Sequence, residues 1–175
     1  MITALDATAV IYALQAAARR PEDDAASALV NAYVDWLKGS QLKEIQIPAP
    51  AHSEFLAFYA EHDMQQQIVA IMRRGFVVTP FDEEASMRAA RIAIQVGGKA
   101  FRKRLKQEFD ISKQCVKTDI QIVATAIAHG AKQIIAVDRG ILEVAKLAGL
   151  KALEPKDCII TLPSLPPGIR GKLFE

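Results

Sequence analysis

Apolar residues return along this chain in two rhythms. Short runs at Ile2–Leu5, Glu44–Ile47, Phe76–Thr79, Gln133–Val137 and Leu150–Leu153 read as strands, most clearly Gln133–Val137, which is too brief for a helix and rich in β-branched side chains. Between them the apolar positions recur every three or four residues, the stripe of a helix packed on a core. Ile120, Val123, Ala124, Ile127 and Ala128 form such a stripe. Thr118 and Gln121 fit a capping box, which predicts a helix starting at Thr118 with Asp119 in its first turn, and Gly130 stops it. Similar stripes or start signals predict helices after Asp6, from Glu22-Asp23-Asp24 to Leu37, and from Ala51 to Tyr59 behind Pro50. Further helices are expected over Met64–Arg73, from Pro80-Phe81-Asp82-Glu83-Glu84 to Val96, and over Ile141–Leu147.

Strands that alternate with helices imply right-handed crossovers and a parallel sheet of about five strands covered on both faces, a three-layer α/β/α sandwich. Residues 1–155 would form this domain, with an inserted helical segment around 95–117. Residues 156–175, with three prolines and two glycines from Pro163 onward, would form an irregular tail.

Composition narrows the class. At 175 residues, 51% hydrophobic and 24% charged, the chain is an ordinary globular one, large enough to bury a core. Met1–Ala18 carries a single charge, but no basic residue precedes its apolar run as a signal peptide requires. Asp6 inside a membrane span would cost about 2.5–3.5 kcal/mol on insertion scales, so a strand, turn and helix are expected there, and no membrane. Cys115 and Cys158 form no CxxC and have no close histidine, which argues against a disulfide framework or a zinc site and fits a cytoplasmic setting. His52, His62 and His129 have no triad-like partners.

The candidate chemistry is carboxylate. Asp6 and Asp138 fall at strand carboxyl ends, while Glu54 and Asp119 are expected in the first turns of helices. In open parallel sheets ligands bind beyond the carboxyl ends of the strands, so the four can converge. Each also has a purely structural account, as an N-cap or as a charge favoured by the helix dipole. Asp82 follows a strand and opens a helix in the same way and is not assigned to the site. Taken together, four acids in one cleft repel one another unless a divalent ion neutralises them. Oxygen-only ligands suit Mg²⁺ or Mn²⁺ and the phosphate chemistry such ions serve.

These segments also resemble a known family. Leu5-Asp6-Ala7-Thr8-Ala9-Val10-Ile11-Tyr12 is similar to the opening of PIN domains, and Ile47-Pro48-Ala49-Pro50-Ala51-His52-Ser53-Glu54-Phe55 to their second segment. Asp119–Gly130 resembles the third and Ile135–Leu142 the fourth, in the same order. The resemblance implies a metal-dependent ribonuclease, often the VapC-like toxin of a toxin–antitoxin pair, with RNA as substrate and an antitoxin and a second copy as partners. Carried over, Asp6, Glu54, Asp119 and Asp138 would ligate the ions directly or through water, with Thr8 supporting the site by hydrogen bonding. Thr8 stands where serine or asparagine is more usual, and Ala136-Val137 where hydroxyl residues are frequent.

Charge adds one local feature. Gln95–Lys117 holds seven basic and two acidic residues, +5, leaving −3 for the rest of the chain. On a helix, Lys99, Arg102, Lys103 and Lys106 share one face and Phe101, Leu105 and Phe109 roughly the opposite one. That is either a solvated face or a ridge contacting RNA phosphates beside an acidic cleft. Two other classes stay open: a non-catalytic PIN-like domain that binds RNA or protein, and a different Mg²⁺-dependent phosphotransfer enzyme on a Rossmann-like sheet. A haloacid-dehalogenase-like phosphatase, one such enzyme, needs a second aspartate where Thr8 stands.

Overall fold

The computed structural model describes residues 1–18, 35, 37–38, 44–58, 62–96, 99–109 and 113–160. Within them the chain runs β1 (Ile2–Leu5), α1 (Ala7–Ala18), β2 (Glu44–Pro48), α2 (Ala49–Ala57), α3 (His62–Met72) and β3 (Val77–Thr79). It continues through α4 (Glu83–Val96), α5 (Lys99–Phe109), α6 (Lys113–Ala128), β4 (Gln133–Ile135), α7 (Arg139–Leu147), β5 (Lys151–Leu153) and α8 (Pro155–Ile160). The helix expected from Glu22 to Leu37 and the tail from residue 161 lie largely outside the described residues.

All five strands pair in parallel, in the order β3-β2-β1-β4-β5. β1 is central, which explains why Thr3, Ala4 and Leu5 show no polar alternation: each is fully buried, as on a strand covered on both faces. The chain leaves β1 toward β2 and β3, then crosses back past it to β4 and β5. With right-handed crossovers this puts the helices before β3 on one face and those after it on the other, and the packing agrees. α1 lies on α2, while α4, α6 and α7 lie on one another. The reversal of strand order opens a crevice above the carboxyl ends of β1 and β4.

Two details depart from the sequence reading. α6 begins at Lys113, not Thr118, so Asp119 is its seventh residue and lies outside the first turn. The apolar stripe extends back one turn to buried Val116, and the Thr118 hydroxyl bonds back to the Gln114 carbonyl at 3.4 Å instead of capping. The helix dipole therefore does not account for Asp119, nor for Glu54, which is the sixth residue of α2 and also outside the first turn. At the other end Gly130 closes α6 in a left-handed turn (φ +81°). The fold also runs past residue 155, because α8 carries Cys158 into the core, where burial pushes its thiol up to about 12. No described helix is long and apolar enough to cross a membrane, and neither cysteine forms a disulfide.

Candidate active site

The four carboxylates come from four separate places. β1 delivers Asp6, α2 carries Glu54, α6 carries Asp119, and the turn after β4 ends in Asp138. All line one cleft of about 180 Å³ together with Thr8, Gln114, Cys115, Thr118 and Ile141. Lys103 and Lys106 are exposed on α5, outside it, and the side chains of Lys99 and Arg102 lie outside the described residues.

Asp6 is held hardest. Its Oδ1 accepts from the Ala9 N–H at 2.6 Å, capping α1, and its Oδ2 accepts from the Val137 N–H at 2.9 Å. Its own N–H donates to the Ile135 carbonyl at 3.1 Å, tying it to the neighbouring strand. At 2% exposure, burial pushes its carboxyl up to about 6; the N–H bonds oppose this and the nearby Asp138 charge adds to it. Asp138 caps α7, accepting from the Gly140 N–H at 2.6 Å, and is exposed. The capping account of Asp6 and Asp138 is therefore true of both. It does not exhaust them, since Asp6 has a second oxygen committed across the sheet and both face the same cleft.

Asp119 is the opposite case. It is 5% exposed, and its Oδ2 is buried without a hydrogen-bond partner. Burial first, then the charges of Asp138, Glu54 and Asp6, push its carboxyl up to about 8. Asp6 is buried more deeply yet shifts less, because donors meet both its oxygens while Asp119 has an orphaned one. Glu54 is exposed at the mouth, its carboxyl raised by partial burial and then by Asp138 and Asp6.

Sequence reasoning missed Gly140. A Cβ at this position would collide with Asp119 Oδ2 and stand 3.0 Å from Asp138 Oδ1. The available signal was a glycine two residues after a capping aspartate, inside a helix where glycine is otherwise unfavourable.

Known proteins share this arrangement of segments. The model of the PIN domain family matches residues 3–147. The chain belongs to the PIN domain family. Solved structures agree on the fold. VapBC-1 from nontypeable Haemophilus influenzae superposes with a TM-score of 0.60 at 13% identity, covering 89% of this chain and 98% of that one. VapBC2 from Rickettsia felis, bound to a DNA fragment from their promoter, gives 0.51 at 16% identity, covering 88% and 98%. No curated protein matches the chain.

Does this PIN cleft suit a divalent cation? Among the described residues no group of three or more His, Cys, Asp or Glu side chains is arranged to hold a metal ion. Mg²⁺, however, keeps several waters and is commonly bound through one or two carboxylates. An orphaned buried oxygen on Asp119 and acids that raise one another's pKa fit such an ion, on a cleft wall whose donors are oxygens apart from the thiol of Cys115.

Proposed function

We propose that this PIN domain is a divalent-metal-dependent ribonuclease, acting as the toxin of a VapBC-type pair. One observation carries the reading: four carboxylates from four segments meet at the sheet's switch point, and the buried Oδ2 of Asp119 has no partner there. Asp6, Glu54, Asp119 and Asp138 would hold Mg²⁺ or Mn²⁺, some through water. Such an ion supplies a polarised phosphoryl oxygen and a water acidic enough to attack phosphorus.

The chain's own part is to fix geometry. The Ala9 and Val137 N–H groups lock Asp6, and the Gly140 N–H orients Asp138 toward the cleft. Glu54, exposed with its carboxyl raised, would accept a proton from an attacking water. Thr8, on the cleft wall, would donate to a carboxylate or a bound water. Carboxylates alone repel RNA, so Lys103 and Lys106, with Lys99 and Arg102 on the same sequence-predicted face, would supply the phosphate contacts. The packing of α5 supports this. Arg104 pins it to Glu143 of α7 at 2.9 Å and packs over Phe101, while Leu105 is fully buried, which leaves Lys103 and Lys106 to solvent. Likeness to the two VapBC structures supports an antitoxin as partner, and a second copy of the chain is the other partner proposed.

The test is incubation of the purified chain with structured RNAs in Mg²⁺ or Mn²⁺, with and without EDTA. Cleavage that EDTA stops and added Mn²⁺ restores is expected. Cleavage indifferent to EDTA would remove the metal from the mechanism. Absence of cleavage, with no rise in melting temperature on adding Mn²⁺, would favour a non-catalytic binding domain.

A further inference from the structure

Gly140 is the second residue of α7, and its backbone requires no special conformation; what it lacks is space. A Cβ there would lie on Asp119 Oδ2, near Asp119 Cγ at 3.1 Å and Asp138 Oδ1 at 3.0 Å. Two catalytic candidates from different elements thus press on a single missing methyl group, while the residue's N–H holds one of them at 2.6 Å. The other carboxylate oxygen lies unpartnered in the volume a side chain would fill.

We infer that Gly140 is the positioning residue of the carboxylate cleft: the absent side chain is the room in which the Asp119 carboxylate sits against Asp138, and the N–H aims Asp138 at it. The inference rests on the nuclease reading for its purpose but on the packing alone for its geometry. α7 could otherwise begin with almost any residue at this place, since alanine normally favours a helix over glycine. The approach of Asp119, with that of Asp138 Oδ1 beside it, makes glycine the residue required.

The consequence is a dependence on Asp119 that a general packing role would not produce. In the wild-type background Gly140→Ala should lower the melting temperature, because the methyl displaces the Asp119 carboxylate. In an Asp119→Ala background the main obstacle is gone and only the 3.0 Å approach of Asp138 Oδ1 remains, so the same substitution should lower the melting temperature far less or raise it. A Gly140→Ala protein that folds should also lose the rise in melting temperature that Mn²⁺ gives the wild type. Should Gly140→Ala fail to fold alone, a folded Asp119→Ala/Gly140→Ala double variant would carry the same conclusion. Equal losses in both backgrounds, gains in both, or a double variant that also fails to fold would overturn the inference. A wild-type protein indifferent to Mn²⁺ would count against the metal reading above, and the two-background comparison would still decide the role of Gly140.

Discussion

Asp6 and Asp82 are local twins in different parts of the molecule. Each follows a strand and opens a helix. Asp6 Oδ1 accepts from the N–H three residues on at 2.6 Å, and Asp82 Oδ1 does the same from Ala85 at 2.9 Å. Each also starts its helix through its carbonyl, to Val10 at 3.0 Å and Ser86 at 2.9 Å. Their surroundings then diverge. Asp82 follows β3, the edge strand; its side chain is 43% exposed and lies 3.4 Å from His129 Nε2, at the far end of α6 from the cleft. Asp6 ends the central strand, is 2% exposed, and takes a second N–H from the turn after β4. An N-cap is thus a statement about a handful of neighbouring atoms, whereas a site is a statement about strand order. The same aspartate becomes surface chemistry at one edge and a buried charge at the switch point.

The sharpest way to break this comparison is to neutralise both twins. Asp6→Asn keeps the volume and removes the charge, and should reduce metal-dependent RNA cleavage by at least about 100-fold, the scale seen when one electrostatic group leaves an active site. Asp82→Asn, which preserves a good cap, should leave cleavage at the wild-type rate. Equal behaviour of the two variants in a single-turnover assay would erase the distinction between them.

Next in size is the dependence of stability on pH. The carboxyls of Asp6 and Asp119 are raised from the ordinary 3.8 to about 6 and about 8, so the folded protein holds protons that the unfolded chain would release. Stability from these groups is therefore fully present below about pH 4 and falls as pH rises through about 6 and then 8. Metal-free protein should melt at a lower temperature at about pH 8.5 than at about pH 5. Asp119→Asn should remove most of that fall, Asp82→Asn should not change it, and Mn²⁺ should flatten it by favouring the ionised forms. A metal-free melting temperature that climbs over this interval would contradict the burial of the two acids.

Much of this arrangement is legible in the sequence, and the gaps have physical causes. The central strands β1 and β4 show themselves because strands buried on both faces need nearly continuous apolar runs, and the four acids show because each sits at a strand end or on a helix beside one. The start of α6 is harder to read. Thr118 and Gln121 satisfy the letter of a capping box, but a threonine hydroxyl can equally bond back to the carbonyl four residues earlier, and buried Val116 tips the outcome. Gly140 is illegible for a different reason. Its necessity comes from a carboxylate 21 positions away in sequence, and no local pattern records that approach. The depth of Asp119 is hidden likewise, since it depends on α4, α6 and α7 packing together.

The smallest expected effect concerns the basic helix, and it carries the comparison from single residues to regions. α5, with Lys103 and Lys106 exposed, is anchored by Arg104 to Glu143 of α7, the helix whose first turn holds Gly140 and which Asp138 caps. Arg73 and Arg74 are equally exposed but stand beside edge strand β3, the neighbourhood that leads to Asp82. Net charge alone does not distinguish the two pairs; only position does. If RNA tracks along α5, Lys103→Glu with Lys106→Glu should weaken binding and reduce the slope of log affinity against log salt, by about 0.7 for each single-strand phosphate no longer neutralised. The matched reversal of Arg73 and Arg74 changes net charge by the same amount and should leave the slope unaltered. Binding is best measured by fluorescence anisotropy in the Asp6→Asn protein, where the RNA stays whole. Identical slopes for the two double variants would mean that the lysines form only a solvated face, and that the cleft draws its substrate by some other surface.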